Sequence, residues 1–164
     1  VAEERREVEA VNAVMTRIGQ AVMLHRAGDR EEARNRFAWL WEELGEEGDP
    51  VERCTLAHYM ADTQDDPVQA LTWDLRALAA ADDGLDDARS RRRLSPAIRC
   101  LYPSLHLNLA ADYDRLGRPD EARAQLARAR STAAALAEDE YGDGVRAAIH
   151  RWEQRLSGGA DQLP

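Results

Sequence analysis

The sequence predicts an all-α fold, and three features carry that prediction. The hydrophobic share of 44% is that of a globular protein, but Ala and Leu supply most of it. Ile occurs only at Ile18, Ile98 and Ile149, and Phe only at Phe37. Small and straight-chain residues lose little rotamer freedom in a helix, so this mixture favours helix over sheet. Pro50, Pro67, Pro96 and Pro119 each open a helix-like apolar pattern, three of them behind an N-cap residue, Asp49, Asp66 or Ser95. Proline at the first helical position loses no hydrogen bond, because that N–H has no intrahelical partner. Between these marks apolar residues recur at three- and four-residue spacing, and no run alternates in β-branched residues.

Taken in order, the first helix covers about 3–27, from a charged start to the stop at Gly28. The second covers about 30–44 and stops at Gly45. Pro50 opens the third, to about residue 63, and Pro67 the fourth, to about residue 81. A short helix is expected over about 85–94, then a longer one over about 97–116. Pro103 reads as a new start or a kink that breaks the latter near Tyr102-Pro103. The last two cover about 119–137 and, after a turn at Gly142-Asp143, about 143–157. Short turns force consecutive helices to become antiparallel neighbours. A chain of 164 residues is expected to form a single domain, here over 1–157, with 158–164 as a disordered tail.

The charge balance, 22 Lys+Arg against 31 Asp+Glu, gives a formal net charge of −9. A polyanion is repelled by such a surface, so nucleic acid is not an expected partner. The basic run Arg89, Arg91, Arg92 and Arg93 is a local exception that reads as a solvated helix end or a weak anion site. All the basic residues are Arg, which with the Ala content points to a GC-rich bacterial genome. No apolar stretch reaches the ~20 residues that span a bilayer, and residues 1–7 do not read as a signal peptide. Cys54 and Cys100 lie far apart and outside any CxxC pattern, as in a cytoplasmic protein with reduced thiols.

Three turn segments align: Gly28-Asp29-Arg30-Glu31-Glu32-Ala33, Asp65-Asp66-Pro67-Val68-Gln69-Ala70 and Gly117-Arg118-Pro119-Asp120-Glu121-Ala122. Each follows a helix with a small residue near its middle, Ala21, Ala57 or Ala110. Each precedes a helix with apolar residues one and two turns on: Phe37 and Leu40, Trp73 and Ala77, Leu126 and Ala129. A helix, a G-x-x-x-E-A turn and a second helix resemble the tetratricopeptide repeat. The third unit, with Ala110, Tyr113, Gly117, Ala122, Leu126 and Ala129, fits best. The first has Leu24 for the aromatic and Leu40 for the last Ala. The second has Asp65 for the turn glycine, one extra turn residue, and Asp74 where the large residue belongs. The turns are about 37 and about 52 residues apart, against the usual ~34.

The resemblance implies a right-handed stack of antiparallel helix pairs, a tetratricopeptide-repeat-like α-solenoid of about seven to eight helices. Its units fall at about 14–47, 50–82 and 103–136, with an inserted helix at about 84–99 and a C-terminal capping helix at about 143–157. It also implies that the first helix of each pair lines a concave groove. The residues so placed are Met15, Ile18, Val22, His25 and Arg26; Val51, Cys54, His58, Ala61 and Asp62; and Ser104, Leu107, Ala111, Asp114 and Arg115. His25, Arg26, His58, Asp62, Asp114 and Arg115 are the candidates for partner binding, on a surface suited to a peptide or an amphipathic helix. Repeats that clamp a C-terminal carboxylate carry Lys, Asn and Arg where this chain has Ile18, Val22, Cys54, His58, Leu107 and Ala111. A chaperone tail is therefore not the expected partner.

His58 and Asp62 stand one helical turn apart, a spacing that could orient an imidazole or begin a metal site if His25 or Asp114 joined them. The plainer reading is an i,i+4 pair on a helix face. His106 reads as core filling and His150 as surface. Phe37 and Trp73 read as core. Trp39 and Trp41 point to different sides of one helix, so one of them is exposed or covered by a second copy in a homodimer. No phosphate loop, nucleophile elbow or zinc signature occurs, so neither a cofactor nor a metal is expected. A protein- or peptide-binding adaptor ranks first, a small-molecule- or peptide-sensing regulator second, and a metal- or histidine-based enzyme third.

Overall fold

The computed structural model describes residues 2–86 and 95–158, with side chains over 13–84 and 98–158. Among the described residues the helices are α1 (Ala2–Arg26), α2 (Arg30–Leu44), α3 (Pro50–Asp62), α4 (Pro67–Asp86), α5 (Ser95–Arg115), α6 (Pro119–Thr132) and α7 (Glu140–Gly158). A 3-10 turn, Ala133–Ala135, follows α6, and no strand is present among these residues. The capping prediction holds at α3, where Asp49 accepts hydrogen bonds from the backbone N–H of Val51 and Glu52 behind Pro50. Asp29 caps α2 through the Glu32 N–H, and the Asp66 carboxylate accepts from the Val68 N–H at 3.1 Å.

The boundaries differ from the sequence expectation at four places. Helix α4 runs on to Asp86 instead of ending near 81, and Gly84 lies buried within it where α4 meets α3 and α5. A Cβ at Gly84 would collide with Ile98 and Pro50, so this glycine permits a close helix crossing. Helix α5 is not broken at Pro103. Its missing N–H deprives the Arg99 carbonyl of a partner, yet the ring is buried, and buried Ile98, Leu105 and Leu109 carry the helix across. Helix α6 gives way to the 3-10 turn at residue 133, short of the expected 137. Gly142-Asp143 is not a turn but lies within the first turn of α7, which Asp139 caps through the Gly142 N–H at 2.8 Å. Gly142 is buried against the Ala137 carbonyl, where a Cβ would not fit. The expected inserted helix falls partly in α4 and α5. Its centre, with the Arg89–Arg93 run and the helix expected over 85–94, lies outside the described residues, as does the tail beyond Gly158.

Consecutive helices pack as pairs, and the first helices α1, α3 and α5 also touch one another in a row. The first and third turns are built alike. Asp29 N–H reaches the Leu24 carbonyl and Gly28 N–H the His25 carbonyl, as Arg118 N–H reaches Tyr113 and Gly117 N–H reaches Asp114. Gly28 and Gly117 adopt φ of 93° and 69°, a left-handed conformation that disfavours a Cβ. The second turn closes differently, with Thr63 and Gln64 N–H on the Met60 and Ala61 carbonyls. Arg30 and Arg34 brace it from α2, both pairing with Asp65 and Arg34 also donating to the Thr63 carbonyl.

The core falls into three clusters. One joins Ile18, Phe37, Leu40, Leu56 and Met60 across α1, α2 and α3. The next joins Cys54, Ala57, Ala77, Ile98 and Leu105 across α3, α4 and α5, and the last joins Ala110, Leu126, Val145 and Ile149 from α5 to α7. Ala21, Ala57 and Ala110 are each fully buried, as close helix approach requires. Trp41 packs edge-on against Trp73, with ring centroids 5.2 Å apart. Trp39 is 62% exposed and lies under the Arg17 guanidinium.

Candidate functional site

Helices α3 and α5 lie side by side, and on this side of the array the fold leaves a hollow of about 170 Å³. Its polar lining includes Asp62 from α3, Asp74 from α4, Asn108, Asp112 and Arg115 from α5, and Arg30 from α2. Small residues, Ala61, Ala70 and Ala111, leave the space open. Asp62 and Arg115 are two of the predicted binding residues, and His58 borders the hollow through its neighbours. Its Nδ1 lies 3.5 Å from Asp74 Oδ1 and 3.3 Å from the Asn108 side-chain nitrogen.

Asp74 and Asp112 are 2% and 4% exposed. Asp74 Oδ1 and Asp112 Oδ2 receive no N–H or O–H donor from the rest of the protein. Burial pushes the Asp112 carboxyl up to about 7; the charge of Asp74 and a hydrogen bond between the two add to this, while Arg115 opposes it. Asp112 thus favours its protonated form, because an ionised carboxylate is costly when buried beside a second one. Arg115 offers only partial relief, its Nη1 3.5 Å from Asp112 Oδ1 and its guanidinium half in solvent. At His58 burial opposes the charged form, but the nearby carboxylates of Asp74, 3.5 Å away, and Asp62 prevail and raise its pKa. At Asp62 loss of solvation raises the pKa, Asp74 adds, and His58, His25 and Arg30 oppose.

The other predicted residues are arranged differently. His25 is half-buried near the end of α1, with Nδ1 lacking a hydrogen-bond partner, and Arg26 is exposed beside it. Asp114 turns toward the capping helix and pairs with Arg155 at 2.9 Å. Of the apolar residues expected along the groove, Ile18, Val22, Cys54 and Ala61 are buried in the core. The Cys54 thiol is pushed up to about 12 by burial, with Asp74 and Asp82 adding, so it is no nucleophile; both cysteines are free. His106 fills the core and bonds Gln125 at 2.8 Å, and His150 is exposed. Asp74, Asn108 and Asp112 were not among the predicted site residues. The signal for Asp74 was its place in the second unit, where the other units carry Phe37 and Leu126.

Among the described residues no three His, Cys, Asp or Glu side chains converge closely enough to hold a metal ion. A larger cleft of about 760 Å³ opens between α6 and α7. Its arginines are already paired, Arg130 with Glu153 and Arg146 with Asp143, so it presents little unmet chemistry. No described helix is long and apolar enough to cross a membrane.

The tetratricopeptide repeat family model matches residues 14–39 and 103–128. Each match covers a first helix, the glycine turn and the start of a second helix, in the register that places Ala21 with Ala110 and Phe37 with Leu126. The intervening unit, which carries Asp74 and the turn without glycine, is not matched. No curated protein and no solved structure matches the chain.

Proposed function

We propose that this tetratricopeptide-repeat protein, with repeats at 14–39 and 103–128, is a protein- or peptide-binding adaptor that works through the side formed by α1, α3 and α5. Repeats of this type generally mediate protein–protein interaction, and they act as binding modules rather than catalysts. The observation that carries the proposal is the convergence of Asp62, Arg115 and the His58–Asp74 pair on the hollow between α3 and α5. Helix solubility does not require charged residues from different helices to meet around one recess. The hollow is smaller than the roughly 300–1,000 Å³ of sites for drug-sized molecules, which favours a single side chain of a protein or peptide partner over a small-molecule ligand.

A photocrosslinking amino acid at position 111, which lines the hollow, tests this reading in extract of the source cells. The adaptor reading expects a discrete protein adduct there and none from position 127, exposed on α6. Adducts from 127 and none from 111 would move the binding surface to the opposite side.

A further inference from the structure

The hollow between α3 and α5 has carboxyl groups that the protein itself leaves short of donors. Asp74 and Asp112 are almost wholly buried, yet Asp74 Oδ1 and Asp112 Oδ2 accept no hydrogen bond from any other residue. A buried ionised carboxylate without donors is costly, and the shortage is relieved by a proton or by a cation bearing N–H groups. The resident cations do not fill this need. Arg30 is committed to Asp65 and to the carbonyls of Asp62 and Gln64. Arg115 stands 3.5 Å from Asp112 and reaches only Oδ1, and His58 stands 3.5 Å from Asp74. Asn108 extends its amide toward His58.

We infer that this hollow receives the cationic tip of a basic side chain, a guanidinium or ammonium group presented by the partner, which donates to Asp74 and Asp112 while Asp62 flanks it at the rim. This rests on the adaptor reading above and names the chemistry its partner carries. The volume suits it: about 170 Å³ exceeds several-fold the ~30 Å³ of one water but is too small for a peptide segment. A metal ion suits it less, since no metal-holding set of three ligands forms among the described residues. The net charge of −9 draws a basic partner toward the protein over long range.

Binding has a protonic consequence. The groups facing the pair are Arg30 from α2, Cys54, His58 and Asp62 from α3, and Arg115 beside Asp112 on α5, while His25 from α1 acts on Asp62. Burial raises the Asp112 pKa to about 7, so this carboxyl is partly protonated near neutral pH, and a cation that donates to it releases that proton to solvent.

The test uses the full chain with N-acetylarginine amide, N-acetyllysine amide and, as the neutral isostere, N-acetylcitrulline amide, followed by amide NMR. The inference expects saturable shifts centred on Asn108 and Asp112 with the arginine or lysine amide and none with citrulline. Calorimetry of the same titration in buffers of different ionisation enthalpy should show proton release. Asp112→Asn should weaken binding at least tenfold; Asp62→Asn, a rim change that spares the buried pair, should weaken it less and serves if the first variant does not fold. Equal shifts with citrulline, shifts elsewhere on the protein, or none with either cation overturn the inference. Saturation by spermidine or by magnesium chloride without any by the amides overturns the side-chain assignment. Failure here with a position-111 adduct intact refutes only the cation chemistry, whereas amide binding without the adduct refutes the adaptor reading.

Discussion

His58 on α3 and Asp74 on α4 stand 3.5 Å apart, Nδ1 to Oδ1, with Asp74 almost fully buried. Asp74 also meets Asp112 of α5, so the raised His58 imidazole and the raised Asp112 carboxyl, from α3 and α5, both adjoin one buried carboxylate on α4. Packing of these helices is thus coupled to protonation.

The sign of that coupling is definite. Asp112 and Glu52, both buried, are pushed up to about 7, Glu52 by burial with Asp49 adding. A group whose folded pKa is raised contributes stability that is fully present below its unfolded value of ~4 and is lost as pH rises through the folded value. Stability should therefore carry a falling component between about pH 4 and 7. His58, also raised, extends the fall above its usual value near 6.5. Denaturant midpoints should show Asp112→Asn stabilising by about 1–2 kcal/mol at pH 8 relative to its effect at pH 5. An effect independent of pH would show that Asp112 is ionised normally.

Gly84→Ala separates local propensity from packing. In a helix interior Ala is favoured over Gly by roughly 0.5–1 kcal/mol. Here the added Cβ meets Ile98 and Pro50, so the substitution should instead cost about 1–3 kcal/mol. A gain in melting temperature would mean that α3, α4 and α5 pack less closely.

Ala110→Leu tests the repeat register. Ala110 is fully buried where α5 meets α6 and α7, and overpacking there should cost about 1–3 kcal/mol. A neutral outcome in thermal melts would contradict the equivalence of Ala21, Ala57 and Ala110.

The tryptophans make a paired control. Trp39→Ala should change stability by less than about 0.5 kcal/mol, since its ring is exposed. Trp41→Ala, which removes the edge contact with Trp73, should cost about 2 kcal/mol or more. Chemical denaturation of both variants decides the assignment of the inner ring.

Much of this architecture was legible in the sequence. Small residues at 21, 57 and 110 and glycines at 28 and 117 are local requirements, set by helix approach and by positive φ, and local requirements show in residue type. Gly84, Pro103 and Gly142 misled because the same residues that stop a helix also permit close crossing or tolerate burial within one. The candidate site divides the same way. Asp62 and Arg115 follow from repeat position, and Asp74 was visible as a carboxylate where Phe37 and Leu126 stand. Asp112 had no such mark, since only the packing of α4 against α5 turns it toward Asp74. Asp114 shows the reverse: its repeat position aims it at the groove, but Arg155 on the capping helix claims it.

The central claim is that partners bind on the side of α3 and α5. Its most direct test is the affinity of a captured partner for two double variants, Asp62→Ala with Arg115→Ala and, on α6, Arg123→Ala with Arg130→Ala. These positions are chosen over His58 because His58 supports buried Asp74, whereas Asp62 and Arg115 are exposed and Arg123 and Arg130 pair on the far surface with Asp120 and Glu153. The account predicts at least a roughly tenfold loss of affinity for the first pair, with little change in melting temperature and little effect of the second. Loss of binding in the second pair with none in the first would contradict it.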